Sequence, residues 1–545
     1  MRLITAALPL FCAALIWLWL APYPWPVNPF PFAWPVNPYP WWVQWAFALL
    51  ALAVVALAGA RHPAACQVRG WMEGRALGLA LVGMAVVGGY GWVSGLIRFN
   101  SFAADLNLAI FASICWNTLQ GRPFEWFAGN YLTLHLSLVP MLLVPFCAAG
   151  QGAPGLLLGH SLLLTLPALP LFLLARRRLD RFSALLLSWA YLLLPGVFTQ
   201  YSFGGTEAPL IALPLSLSFL FYHQGRLKAF LASVAAGAVG VVEYYAPVFA
   251  LFGLLAWRAR RPWPWVLGPV GVAVLWPALA YGILLPSLAR AFPEWGMPSD
   301  LSASGLQYYQ HLGDSPAAIL TGVARDPGPL LAVLTDHFHL GFVYQLLLPF
   351  LFVLPWGSGA SLFALWDLLT VLPTTSLNIL SLAGHHVGLA SVSLLAGSAG
   401  TLERLTGRDG EASLRLRRSL AAAILSLAGA SIMTVAYLAY PATLLSQPRP
   451  SLAEAVALIP ADLPVAAPEG VLPHLVDRRE VYPLWRAESA AREARLAAVL
   501  FDHPPGQLVD DAQTQFLEWL RGHPAYRLAY ERDGVVLFLR RAQGG

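Results

Sequence analysis

What most constrains this chain is a succession of apolar runs of membrane-spanning length with arginine clusters between them. Runs at about 5–20, 41–60, 75–97, 155–175, 183–200, 208–223, 263–287 and 419–441 are near the roughly 20 helical residues that cross a hydrocarbon layer. Lipid offers the backbone no hydrogen-bond partner, so each run must satisfy its amides internally, as a helix does. The chain is 58% hydrophobic and 11% charged over 545 residues, more apolar surface than one soluble fold can bury. The fold class is therefore an α-helical polytopic membrane protein.

The arginines orient it. Clusters at Arg61, Arg69 and Arg75, at Arg176 to Arg181, at Arg226 with Lys228, at Arg258 to Arg261 and at Arg404 to Arg418 mark the cytoplasmic side. Arg98 and Asp105 then lie on the outer side. Between Asp105 and Arg176 the chain must cross an odd number of times. The run at 131–147, which carries His135, Pro140 and Pro145, is therefore read with 105–119 as helices lying along the outer leaflet. The run 229–257 has basic residues at both ends and must cross twice, with its turn at Glu243 and two short limbs. Further runs near 341–356, 359–373 and 386–402 bring the total to about thirteen crossings, with 288–340 as a long outer segment. The protein is expected in the cell's inner (plasma) membrane, N-terminus cytoplasmic and C-terminus extracytoplasmic, with the bilayer as its first partner.

Residues 1–22 read as an uncleaved first span, because the run lacks a small-x-small cleavage site. Between the first two spans WPVNP occurs at Trp25 and again at Trp34, in an uncharged proline- and aromatic-rich loop. It reads as interfacial, with sugar stacking as the alternative. Residues 1–97 form an N-terminal transmembrane extension. Residues 98–442 form the main membrane domain, with 98–154 as its first outer loop. Charge density rises over 443–545, where the VAAP and AVLF segments, a helix near 511–522 and a hairpin through Asp533-Gly534 predict a small extracytoplasmic α/β domain.

Several chemistries are excluded. Lys228 is the single lysine, which leaves phosphate binding to arginine. No Walker-type or strand-led GxGxxG loop occurs. The net charge of +5 is dispersed as topology signals and does not mark nucleic-acid binding. Cys12, Cys66, Cys115 and Cys147 form no CxxC pair and indicate neither a zinc site nor a disulfide framework.

The topology gathers Arg98, Asp105, His135, Glu207, Glu243, Arg325, His385 and His386 on the outer side. Each has an ordinary structural explanation, and Asp105 stands where an N-cap would. As a set they form acids and bases that topology alone does not explain. An interfacial carboxylate can deprotonate an acceptor hydroxyl or hold a divalent cation, with Asp105 and Glu207 the candidates for the latter. Arginines and histidines can neutralise a phosphate leaving group. Such a site suits transfer from a lipid-linked phosphate donor.

The stretch RFNSFAADLNLAIFASICWNTLQGRPF at 98–124 resembles the opening signature of an uncharacterised prokaryotic membrane-protein family, the domain-of-unknown-function family 2079. LHLSLVPMLLVPF, LPLFLLARRRL, EAPLIALPLSL, VVEYYAP, YYQHLGDSPAAIL, LPTTSLNILS and IPADLPVAAPEGVLPHLVDRREVY agree in order, over roughly residues 95–540. The family is similar in organisation to the class C (GT-C fold) glycosyltransferases, which take sugars from polyprenyl-phosphate donors. That resemblance implies a catalytic base or metal ligand at Asp105, with Arg98 and Arg325 on the donor phosphate. His135, Glu207, Glu243, His385 and His386 would be substrate-binding. Where relatives tend to have His-Pro-Glu, this chain has Gly205-Thr206-Glu207, and Val242-Glu243-Tyr244 replaces Lys-Glu-Asp. Either the site is retuned or this copy is inactive. A lipid or glycan transporter or flippase, or a GT-C-like scaffold, is the alternative reading.

Overall fold

The computed structural model describes residues 7–14 and 41–541, apart from 128, 151, 203, 292–305, 377–378, 381–385, 406–409, 440–448, 493–494 and 504–510. The duplicated WPVNP loop, His385 and half of the first apolar run lie outside the described residues.

Three helices are long and apolar enough to cross a membrane, Ala76–Asn100, Ala153–Ala175 and Trp263–Ala291, or up to six spans if each of three bent pairs counts once. The expected thirteen crossings are thus not matched by thirteen continuous helices among the described residues, and proline is the main reason. The residue before proline is driven out of the helical region. Leu194, at ψ 133° before Pro195, breaks Arg181–Leu193 from the next turn by 55°. The run near 341–356 becomes the helix His337–Leu347 and short 3₁₀ turns around Pro349 and Pro355, with Leu351 and Phe352 at positive φ. The run 229–257 does divide as read from its charges, into Leu227–Gly240 and a limb opening at Glu243.

Ala76–Asn100 shows how sequence sets the packing. Ala76, Ala80, Met84, Gly88, Gly91, Gly95 and Arg98 are buried along one face, while Leu77, Leu81, Val86, Val93 and Ile97 are exposed along the other. A stripe of small residues lets neighbouring helices approach closely, and the large apolar face suits lipid. The next helices, Leu106–Leu119 and Val139–Ala149, have 14 and 11 residues. At 1.5 Å per residue they reach about 21 and 17 Å, short of a crossing. Cys115 and Cys147 form a disulfide between them. This corrects the expectation of no disulfide, which rested on sequence spacing alone and could not register two helices folded side by side.

The C-terminal region is the expected α/β unit. A five-stranded sheet runs β4-β3-β5-β7-β6, from β3 (Val465–Ala467), β4 (Val481–Pro483), β5 (Ala498–Asp502), β6 (Tyr526–Arg532) and β7 (Val535–Arg540). A two-stranded ladder, β1 (Glu125–Trp126) with β2 (Gly129–Asn130), lies earlier in the chain. The hairpin between β6 and β7 turns at Asp533 and Gly534, φ 52° and 80°, and the helix Asp511–Gly522 lies where expected. Alternation along the strands divides the faces. Ala498, Leu500, Val535 and Leu537 join the main core, whereas Val499, Phe501, Val536 and Phe538 pack with Phe516 and Leu520. One face of this sheet is thus continuous with the membrane domain.

Candidate functional site

Asp105 caps the helix Leu106–Leu119. Its Oδ1 accepts from the Asn107 backbone N–H at 2.8 Å and from Asn107 Nδ2 at 2.7 Å. Among the described residues nothing bonds Oδ2. The cap and the functional readings therefore coincide in one residue, a carboxylate fixed by one oxygen with the other open. The loop before it is tightly built. Arg98 is buried and its Nη2 donates to the Ala103 carbonyl at 3.1 Å, while Phe102 adopts φ 55° to turn the chain.

Against this loop lies a segment of the C-terminal region. The His474 ring stacks on Phe99 at 3.9 Å and sits 4.4 Å from Phe102, and its Nε2 donates to the Phe99 carbonyl at 2.7 Å. Burial holds His474 below its ordinary pKa, so the ring is neutral at pH 7. A Cβ on Gly470 would stand 2.1 Å from the Phe102 carbonyl oxygen. Glu469 is thereby brought beside Asp105. Desolvation by the surrounding protein, and after it the Asp105 charge, push the Glu469 carboxyl above its ordinary range.

Next to this pair is a second cluster. The hydroxyl of Tyr131 donates to Glu207 Oε1. Glu243, 2% exposed, receives the Leu136 backbone N–H at 3.0 Å, His135 Nδ1 at 3.2 Å and the Tyr281 hydroxyl at 3.3 Å. Tyr281 lies in a π-helical turn, Ala280–Leu284, inside an otherwise α-helical span, an irregularity frequent at functional sites. The rings of Tyr131 and Tyr244 flank His135 at 6.0 and 6.2 Å.

Local sequence explains why these residues meet. Gly204 and Gly205 hold φ 64° and 78°, and a Cβ on Gly205 would lie 2.6 Å from the Asn107 carbonyl oxygen, so the loop ahead of Glu207 lies on the first turn behind Asp105. His160, fully buried, holds the Thr206 carbonyl at 3.0 Å through Nε2. Pro209 abuts Gly388 at the start of the helix Gly388–Leu405, which the buried Asp367 caps by accepting the Ala390 N–H at 2.7 Å. Tyr131 is delivered by a loop in which Arg122 grips Asn117 Oδ1 through Nε and Nη2, at 3.0 and 2.7 Å.

The structure therefore brings Glu207, His135 and Glu243 together and sets them beside the Asp105 loop. His386 lies two residues before Gly388. Arg325 is exposed at the end of the helix Pro316–Arg325, and among the described residues no contact joins it to the cluster. Tyr131, Tyr281, Glu469, Gly470 and His474 were not singled out from sequence. Among the described residues no three His, Cys, Asp or Glu converge as the ligands of a metal ion.

Several solved structures are similar at low identity. ArnT from Cupriavidus metallidurans bound to undecaprenyl phosphate shares 11% identity, with 84% of this chain and 98% of that chain covered and a TM-score of 0.45. The same organism's ArnT in the apo state shares 12%, with the same coverage and a TM-score of 0.47. The Archaeoglobus fulgidus oligosaccharyltransferase in complex with Zn and sulfate shares 12%, covering 76% of this chain and 68% of that chain, with a TM-score of 0.39. No curated protein matches. Residues 98–537 match the model of the family described as "Predicted membrane protein (DUF2079)", and with the greater part of its length inside that match, from the Asp105 loop to the last strand, this chain belongs to that family.

Proposed function

We propose that this protein transfers a sugar from a polyprenyl-phosphate-linked donor to a lipid, glycan or protein acceptor at the outer face of the inner membrane. The observation that carries this reading is the Asp105 carboxylate, fixed through Oδ1 and open at Oδ2 where the first loop meets the C-terminal unit. In the proposed reaction the acceptor O–H bond breaks and its proton goes to Oδ2. The new C–O bond forms at the anomeric carbon as the bond to the donor phosphate oxygen breaks, and the electron pair leaves on the phosphate. Direct displacement of this kind inverts the anomeric centre. Arg98, whose Nη2 donates to the Ala103 carbonyl two residues before Asp105, is the cation assigned to the departing phosphate, and the Tyr131–Glu207 and His135–Glu243 pairs orient the sugar through hydrogen bonds. Arg325 is assigned to the donor phosphate only by the sequence resemblance. The reading takes the topology derived from the arginines, with about thirteen crossings, several of them broken at proline, and an extracytoplasmic C-terminus.

The test is to incubate the purified full-length chain in liposomes with a panel of polyprenyl-phosphate-linked sugars and envelope lipid extract, and to follow release of free polyprenyl phosphate. Release that requires both chain and acceptor extract is expected. Release from none of the panel, or equal release from nucleotide-linked sugars, would remove the reading.

A further inference from the structure

The turn that presents Asp105 is not self-supporting. Phe102 is held at φ 55°, a conformation in which a bulky residue is a strained outlier and persists only where surrounding structure fixes it. The two groups that press on it come from far along the chain. His474 packs against its ring and bonds the Phe99 carbonyl, and Gly470 packs onto its carbonyl so closely that no side chain fits between. His474 lies in the 3₁₀ turn Leu472–His474, next to the buried Leu475 and Val471 that join the membrane-domain core. The contact is therefore a built seam and not a passing touch.

We propose that the C-terminal domain is the positioning device of the site: His474 and Gly470 lock the Phe102 turn, and through it set the direction in which the Asp105 cap presents its open oxygen. His474 is a positioning residue, since it reaches Asp105 only through the backbone of 99–105. The inference rests on the reading of Asp105 as the reactive group, and its test separates the two.

The experiment compares full-length wild type with His474→Ala, Gly470→Ala and His474→Gln, the last keeping a donor near the Nε2 position. Hydrogen exchange at the Asn107 amide, which Asp105 holds, is read together with exchange in β5 and β7 as the control for domain folding. His474→Ala and Gly470→Ala should speed exchange at Asn107 by about tenfold or more while β5 and β7 stay protected, and His474→Gln should restore part of the protection. In the liposome assay the same two variants should lower kcat by about 10- to 100-fold at unchanged KM for the donor, since misplacement harms the chemical step more than binding. Wild-type exchange at Asn107 in either variant would overturn the proposal, as would a rise in KM alone. Faster exchange at Asn107 in a chain that releases no polyprenyl phosphate would uphold the positioning role and sink the transferase reading.

Discussion

The two ends of the helical bundle carry charge by different rules. At the arginine-rich end, acids and bases neutralise one another across helices. Arg418 joins Glu73 and Asp180, Arg178 meets Glu403 and His223, and Arg61 pairs with Glu411. At the other end the acids are held by neutral or weakly basic donors. Asn107 holds Asp105, Tyr131 holds Glu207, and His135, Tyr281 and a backbone N–H hold Glu243. Among the described residues no arginine forms an ion pair with Asp105, Glu207, Glu243 or Glu469. The first arrangement ties the fold together, while the second orients carboxylates without an arginine partner among the described residues.

Substitutions should separate the two ends. Glu243→Ala should be the most disruptive structurally, since it orphans the buried Leu136 N–H and leaves His135 and Tyr281 without an acceptor. A loss of about 3 kcal/mol, read as a lower denaturation midpoint in detergent, is expected. A variant as stable as wild type would show that the cluster adds nothing to the fold.

Opening the Cys115–Cys147 disulfide with Cys115→Ser should cost about 2–4 kcal/mol, because two short helices beside the site lose their tether. Thermal unfolding with and without reductant checks this. The wild type should fall to the variant's midpoint when reduced, and the variant itself should not respond.

Arg418→Ala should cost about 1–2 kcal/mol and leave turnover of the folded protein unchanged. If it lowered kcat while stability held, the arginine end would not be merely structural and the contrast between the ends would fail.

The sequence was informative where chemistry is local. Asp105 reads as a cap because three small or polar residues precede an apolar helix, the β6–β7 hairpin is written in Asp533-Gly534, and the two limbs around Glu243 follow from basic residues at both ends of one apolar run. Contacts between distant segments were not legible. Glu469, Gly470 and His474 stand in a segment whose resemblance to the family was visible, yet nothing local says that it lies on Phe99 and Phe102. The disulfide was missed for the same reason. The number of continuous helices was less legible for a different reason, since apolar length was read without the proline breaks that divide 183–200 and 341–356.

Asp105→Asn tests the central claim most directly. Asparagine can still cap the helix, so the variant should insert in membranes and unfold at the wild-type temperature. Without a carboxylate to take the acceptor's proton, release of polyprenyl phosphate should fall by about 10²- to 10⁴-fold. Wild-type release from a folded Asp105→Asn protein would contradict the account.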